Sequence, residues 1–549
     1  MPRNRYTVTI LLKWLWSSSK GNRLQAFLNA IIGLLGVVVS LSSVWAVQRA
    51  IDIASHNVAG NIYIAVFVMA LLILSDFALS VASIWVQNLL GIKAQNRMQQ
   101  KLLERILKSE WKGKESHHSG DILNRLELDV NNVVDFITVT IPDAISTLAL
   151  FIGAFSYLLS MDWRLAVVIV VMFPIFLLCS KIYIRQMRGL TSEVRGSDSK
   201  VQSILQETIQ HRMLLKTLEG EDMAVDRLEA QQRELRHNVI RRTKFSVFSS
   251  LTIGIGFSFG YLIAFTWAAV RLSLGTLTFG GMTAFLQLVN KIQRPARQLT
   301  RLVPTFVSVL TAAERLLELQ ETPLEQQGKP IKINGPIGIE VDNVSFKYDD
   351  GDENTINDLS VDFKPNTCTA ILGETGVGKT TLIRLLLALL KPTKGNIYIY
   401  NDTGKKEMTS LMRNNFSYVP QGNTLMSGTI RDNLKMGNPM ANSEDMKDAL
   451  IQSCADFVFE LPDGLDTMCT ELGGGLSEGQ AQRISIARSL LRNSSIILFD
   501  EATSALDPET EKQLLNNILK QKNKTIIFIT HRQAVVDYCD KTITLQKNN

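Results

Sequence analysis

The chain is short of cysteine. Its 549 residues hold five, at Cys179, Cys368, Cys454, Cys469 and Cys539. An odd and scattered set builds no disulfide framework, and no pair has the close spacing of a zinc site. Basic clusters interleaved with aromatics are also lacking, so the formal net charge of +6 does not point to nucleic acid. The apolar stretch Ile10–Trp16 does not read as a cleavable leader, since Lys13 breaks it and no small-residue cleavage site follows. The most informative absence is charge. Leu24–Val47 carries none and Ile62–Val86 only Asp76, while Thr138–Ser160, Leu165–Ile184 and Phe248–Val270 are similarly apolar. Roughly 20 such residues cross the ~30 Å hydrocarbon core of a bilayer, so each run is long enough to span it. Helices on the surface of a soluble domain would show a polar face, and these do not.

The second half carries chemistry instead. Gly373, Glu374, Thr375, Gly376, Val377, Gly378, Lys379, Thr380 and Thr381 form an unbroken G-x-x-x-x-G-K-[ST] phosphate loop. The apolar run Cys368–Leu372 before it predicts a buried strand and Thr380–Leu390 after it a helix, the context such a loop requires. Glycines let successive backbone N–H groups face phosphate oxygens, and the helix N-terminus adds its positive end. Lys379 would reach the β- and γ-phosphates of ATP, and the Thr380 hydroxyl would hold Mg²⁺. Ser495–Asp500 predicts a strand ending in a carboxylate for Mg²⁺, with Glu501 next to it to deprotonate or orient water. Thr525–Thr530 predicts another buried strand, ending beside His531. Ligands bind at the carboxyl ends of parallel strands, so Asp500, Glu501 and His531 are expected to converge near the phosphates. Leu476-Ser477-Glu478-Gly479-Gln480 opens a further helix with a second phosphate-directed N-terminus.

On these residues the chain resembles an ATP-binding cassette (ABC) nucleotide-binding domain from about Ile337 onward. Leu476–Gln480 is similar to the family signature, Gln421 to the Q-loop that also serves Mg²⁺, Ser504–Asp507 to the D-loop and Tyr348 to the aromatic that stacks on adenine. His531 resembles the switch histidine. The resemblance implies two cassettes facing head to tail, so that Ser477, Gly479, Gln480 and Asp507 of one subunit meet ATP held by Lys379 of the other. Glu478 departs from the pattern at a position that is often glycine. Only 18 residues follow His531, so the helices that usually close the cassette are expected to be largely absent.

A cassette needs cytosolic ATP, and Arg3, Arg5, Lys13, Lys20 and Arg23 mark the N-terminus as cytoplasmic. The number of spans is then even. Gly281–Pro304 supplies the sixth, with Lys291, Arg294, Arg297 and Arg301 expected on an interior face or at the cytosolic end. The outer segments 48–61, 161–164 and 271–280 carry one arginine each and no lysine. Asp76 is expected to be protonated and hydrogen-bonded, to face water in the cavity, or to pair with Lys291 or Arg294 at matching depth. Trp14 and Trp16 read as interfacial anchors of a short amphipathic helix.

The expected architecture is an α-helical membrane domain (1–320) with spans near 24–47, 62–86, 138–160, 165–184, 248–270 and 281–304. A polar linker (321–336) and an α/β P-loop ATPase domain (337–549) follow. The cytosolic extensions resemble those of six-helix ABC exporters, with coupling helices near Glu110–His117 and Leu214–Glu221. The expected function is an ATP-hydrolysing half-transporter in the plasma or inner membrane, homodimeric, exporting a lipid, peptide or drug. An importer of the same fold or an ATP-gated regulator is the alternative. Nothing in the sequence names the cargo.

Overall fold

The computed structural model describes residues 6–18, 20, 21, 23–111, 119–348, 353–374, 376–470, 475–521 and 523–546, with backbone only at 119, 165, 168–185, 188, 253, 296, 297, 299–301, 303 and 304. Thr375 of the phosphate loop, Arg3, Arg5 and most of the expected Glu110–His117 coupling helix lie outside the described residues. The chain divides into two compact units, Met1–Leu103 with Leu123–Gln320, and Glu104–Ile122 with Glu321–Asn549.

The first unit is helical: α1 (Val8–Ser18), α2 (Arg23–Ala54), α3 (Ile62–Leu107), α4 (Ser119–Asn124), α5 (Val130–Asp135), α6 (Ile141–Met161), α7 (Trp163–Gln210), α8 (Arg212–Thr217), α9 (Glu221–Ser273) and α10 (Phe279–Glu321). Among the described residues, Ala26–Ala54, Ile62–Leu107, Gly120–Met161 and Glu221–Ser273 are long and apolar enough to cross a membrane. The apolar part of α7 lies where side chains are undescribed, and α10 is diluted by its basic residues. Small alanines at 154, 264, 268 and 284 are buried beside Val44, Leu158, Phe285, Leu288 and Ile292, letting α2, α6, α9 and α10 approach closely. Asp162 caps α7 by accepting from Arg164 N at 3.0 Å, and it also accepts from Trp267 Nε1 at 3.0 Å and pairs with Arg271 at 3.3 Å. That carboxylate pins the start of α7 to the end of α9. Two π-helical turns, Arg125–Asp129 and Phe136–Thr140, interrupt the α4–α6 stretch. Arg125 of the first is buried and donates to Arg315 O (3.1 Å) and Glu318 (3.2 Å) of α10.

Trp14 is not an interfacial anchor. It is 7 % exposed, packed in a cluster with Leu102, Val133 and Leu316, and its indole N–H donates to Gln320 Oε1 at 2.7 Å. Trp16 is 66 % exposed and holds the Arg23 guanidinium over its ring at 4.2 Å. Leu11 and Leu15 share the inner face with Trp14, so one side of this helix is occupied by protein.

The second unit is built on a parallel sheet of order β11-β3-β10-β9-β6, from β3 (Cys368–Leu372), β6 (Phe416–Val419), β9 (Ile496–Asp500), β10 (Thr525–Ile529) and β11 (Lys541–Thr544). Strands β9 and β10 are buried at every residue, which is why they read as unbroken apolar runs. Phe499 and Phe528 stack at 4.6 Å within this core, an arrangement worth about 0.5–1.5 kcal/mol beyond area burial. An antiparallel sheet, β2-β1-β4-β5, comprises β1 (Gly338–Phe346), β2 (Ile356–Phe363), β4 (Lys394–Asn401) and β5 (Gly404–Glu407). The short pair β7 (Gly428–Thr429) and β8 (Met468–Cys469) lies beside a helical group, α12 (Ile430–Lys435), α13 (Ser443–Gln452) and α14 (Glu478–Leu491). The remaining helices are α11 (Lys379–Leu386), α15 (Pro508–Leu519) and α16 (Gln533–Val536).

The expected linker is a strap. Glu110 N donates to Pro323 O at 2.8 Å and Glu325 N to Lys108 O at 3.0 Å, a short antiparallel pairing. Arg413 grips Glu325 with two bonds of 2.7 Å and donates to the carbonyls of Leu387 and Ala388. Asn415 fixes the backbone of Ile331 and Ile333. A bidentate, half-sheltered pair of this kind adds about 1.5–3 kcal/mol. Glu325→Gln is therefore expected to lower the cassette's thermal unfolding midpoint by several degrees, read by scanning calorimetry, while Lys405→Gln, in the exposed Lys405–Glu340 pair at 2.7 Å, leaves it within error.

Candidate functional site

The strand order aligns four carboxyl ends at one edge: the phosphate loop after β3, His531 just past β10, Asp500 ending β9, and Gln421 just past β6. Residues more than 150 positions apart in sequence meet there. Lys379 Nζ donates to Gly373 O (2.6 Å) and Glu374 O (3.2 Å) and lies 2.8 Å from His531 Nε2. The same imidazole nitrogen lies 3.2 Å from Glu501 Oε1, and Gln421 Nε2 donates to Glu501 Oε2 at 2.7 Å. One nitrogen cannot accept from Lys379 and donate to Glu501 at once, so the protonation of His531 selects its partner.

The loop is a cradle shaped by glycine. Gly373 (φ 155°), Gly376 (φ 87°) and Gly378 (φ 102°) have positive φ, and a Cβ on Gly378 would sit 2.9 Å from Thr355 O. Gly378 is also the N-cap of α11, whose first residue, Lys379, is 7 % exposed. Burial holds the Lys379 ammonium below the usual lysine range, opposed by the charges of Glu501 and Asp500. Thr380 is exposed in the first turn, and Val377 and Thr381 are buried.

Asp500 is 4 % exposed and accepts from Tyr418 OH at 3.2 Å. Burial pushes its carboxyl up, partly offset by that hydrogen bond, and Glu501 adds repulsion. A bound cation would relieve this, and the donors Asp500, Thr380 and Gln421 are oxygen ligands suited to Mg²⁺. Glu501 has φ 49°, the left-handed region, held by its N–H to Ile529 O (2.9 Å) and by Ser504 N to its carbonyl (3.1 Å). Such strain in a non-glycine residue costs about 1–3 kcal/mol and collects at functional sites.

Tyr348 sits against the site with its ring edge on Phe346 (4.9 Å) and its hydroxyl 3.0 Å from Thr381 Oγ1. Arg384 Nη1 donates to that hydroxyl at 3.3 Å, and the guanidinium carbon of Arg384 lies over the Trp111 ring at 4.5 Å.

The signature residues stand apart. Ser477 is the N-cap of α14 in a reciprocal capping box with Gln480. Asp507 caps α15 through Thr510 N at 2.9 Å. Among the described residues, no hydrogen bond or ion pair joins Ser477, Gly479, Gln480 or Asp507 to the phosphate loop of the same chain. Glu478 is exposed.

Gln482 escaped the sequence reading. It is 1 % exposed, its amide donates to Glu501 O (3.3 Å), and its oxygen accepts from Ala505 N (3.3 Å). It ties the signature helix to the strained glutamate. A glutamine on the apolar side of a helix was the available signal. Arg532 does related work, donating to Leu506 O and Ser504 O and pairing with buried Glu511 at 2.8 Å. A Cβ on Gly479 would meet Ala505 O at 2.8 Å. Gly479→Ala should therefore push α14 off this segment and lower ATP turnover about tenfold or more with nucleotide affinity unchanged, measured as kcat against binding.

In the first unit, Asp76 is exposed, and its charge interacts with that of Lys291, although among the described residues no direct ion pair joins it to Lys291 or Arg294. Lys291 instead donates to Ser40 Oγ.

The chain matches two family models, the ABC transporter transmembrane region over residues 26–295 and the ABC transporter domain over residues 356–504. It is 30 % identical over 480 residues to an ATP-dependent lipid A-core flippase of Bordetella avium, covering 86 % of this chain and 79 % of that one. It is 27 % identical over 550 residues to the uncharacterized ABC transporter ATP-binding protein YwjA of Bacillus subtilis, covering 98 % and 94 %. The fold is that of a bacterial Atm1-family ABC exporter solved with ATP bound, at a TM-score of 0.81 and 23 % identity over 96 % of this chain and 94 % of that one. A helical membrane unit and a P-loop ATPase unit in one polypeptide place this chain in the ATP-binding cassette transporter family, as an exporter-type half-transporter that hydrolyses ATP.

Proposed function

We propose that the protein works as a homodimer in the plasma or inner membrane. Each dimer would have twelve spans, both termini of each chain in the cytoplasm, and two Mg²⁺-ATP sites driving export of a hydrophobic or amphipathic cargo. The observation that carries this reading is the meeting of Lys379, His531, Glu501 and Gln421 within hydrogen-bonding distance at one sheet edge. One chain thus holds a full hydrolytic set, which favours two competent sites over one competent and one degenerate.

On ATP binding, Lys379 exchanges the carbonyls of Gly373 and Glu374 for β- and γ-phosphate oxygens. The glycine cradle receives the phosphates along its N–H groups, and Tyr348 borders the adenine. Asp500, Thr380 and Gln421 would hold Mg²⁺, which neutralises charge developing on the transferred phosphoryl group. Glu501 accepts the proton of the attacking water, and His531, freed from Lys379, donates toward the γ-phosphate. Ser477 and Gly479 of the partner close the site through a helix N-terminus. Closure and reopening of the cassettes switch the membrane units between inward- and outward-open states.

Helix α10 supports a polar pathway. Its buried residues Phe285, Leu288, Val289 and Ile292 occupy one side, and Arg294 is exposed on the other. A charge at that depth requires water or protein beside it. The flippase relative favours an amphipathic lipid as cargo. Light scattering of the detergent-solubilised protein should give two chains per particle, and nucleotide titration two sites. Monomers, or one site per two chains, would oppose the homodimer.

A further inference from the structure

Two cysteines separated by 171 positions face each other in the cassette: Cys368 Sγ and Cys539 Sγ lie 2.8 Å apart. Their backbones are locked in place. Asp540 N donates to Cys368 O at 2.9 Å, and Cys368 N donates back to Asp540 Oδ2 at 2.8 Å. Cys368 opens β3, the strand that delivers the phosphate loop, and Cys539 lies just ahead of β11, the exposed edge strand paired to it. Cys368 is 4 % exposed, whereas Cys539 is half-buried and open to small solutes. Both are free thiols. The wide sequence separation hid this pair from any reading of cysteine spacing.

We propose that Cys368 and Cys539 are a peroxide-oxidisable dithiol that closes reversibly to a disulfide. The Cys539 thiol gives up its proton and the thiolate attacks a peroxide oxygen, breaking the O–O bond to give Cys539 sulfenic acid and hydroxide, which takes that proton as water. The Cys368 sulfur then attacks the sulfenic sulfur and loses its proton, the second water leaves, and an S–S bond remains. In sum, two thiols and one hydrogen peroxide give one disulfide and two waters, with both sulfurs oxidised and the peroxide reduced. A dithiol reductant reverses the reaction by exchange. Cys368 is placed for the resolving role by geometry: its sulfur lies against that of Cys539 and is itself buried away from peroxide. Contact with Cys539 and burial push its thiol above the ordinary range, so its proton leaves only as the S–S bond forms. In a reducing cytosol the pair rests as thiols, and oxidant closes it.

The bond would act on the nucleotide site through β11. This strand runs into Leu545, whose N–H donates to Leu372 O at 2.9 Å and whose carbonyl lies 2.9 Å from where a Cβ on Gly373 would project. Leu545 thus floors the phosphate loop, and a crosslink at the start of β11 keeps that edge strand from fraying.

The test treats the purified full-length transporter with hydrogen peroxide in small excess, followed by peptide mass spectrometry and calorimetry. The expected result is a peptide joining Cys368 to Cys539 with a mass loss of two hydrogens. Dithiothreitol should reverse it, and the cassette's unfolding midpoint should rise. Cys539→Ser should reduce the linked product at least tenfold, and Cys454→Ser should leave it unchanged. Sulfinic acid accumulating on Cys539 with Cys368 still a free thiol would overturn the proposal. So would crosslinking that pairs other cysteines. Cys539 is half-buried and β11 is an edge strand, so Cys539→Ser folds and the outcome is readable without any variant of buried Cys368.

Discussion

Glu501→Gln is expected to keep nucleotide binding and to lower steady-state ATP turnover at least ~10²-fold, the usual contribution of a positioned general base. The amide retains the volume of the carboxylate and can still bond Gln421 and His531, which lie 2.7 and 3.2 Å from the Glu501 oxygens. The left-handed backbone at φ 49° is held by Ile529 O and Ser504 N, neither of which involves the side chain. The substitution therefore removes a proton acceptor and little else. ATP should accumulate, unhydrolysed, in closed dimers. Near-normal turnover in the purified variant would remove Glu501 from its role.

The second large effect belongs to Ser477. Ser477→Arg places a long cation at an exposed helix N-terminus and is expected to abolish hydrolysis while leaving ATP binding at Lys379 nearly intact. It also removes the capping box with Gln480, so a loss of about 0.5–2 kcal/mol in cassette stability accompanies it. Ser477→Ala controls for that local cost. The decisive measurement mixes chains. Lys379→Ala and Ser477→Arg homodimers should each be inactive, but a mixed dimer has one wholly wild-type composite site and one doubly damaged site. With free exchange and independent sites, a one-to-one mixture should recover about a quarter of wild-type activity if the proposed two-fold dimer forms. No recovery despite proven exchange would contradict the head-to-tail arrangement.

Much of the cassette was legible because its determinants are local. Strands β9 and β10 are apolar on both faces, so they announce themselves without a partner, and the phosphate loop needs its glycines at fixed positions. The convergence of Asp500, Glu501 and His531 followed from one topological rule about strand ends, whereas Gln421 was placed there only by resemblance. What stayed hidden depends on contacts between distant segments. Glu325 reads as a linker glutamate until Arg413 arrives from 88 positions away. Trp14 looks like a lipid anchor because its partner Gln320 is 306 positions off. Gln482, Arg384 with Trp111, and the Cys368–Cys539 pair are of the same kind. The burial of Arg125 against Arg315 and Glu318 of α10, 190 and 193 positions away, is likewise not encoded in helix periodicity. The Asp76 pairing was legible only in part: matching depth brings Asp76 and Lys291 close enough for their charges to interact, but rotation about each helix axis is left free, and Lys291 bonds Ser40.

The measurement closest to the central claim is ATP turnover in proteoliposomes across matched panels of lipids, peptides and amphipathic drugs, with transbilayer movement of each compound followed in parallel. The account predicts that at least one class both stimulates hydrolysis and is moved at the expense of ATP, and that Glu501→Gln abolishes both together. Turnover indifferent to every compound, alongside an ATP-dependent conductance that persists in Glu501→Gln, would contradict it and identify a gated regulator instead.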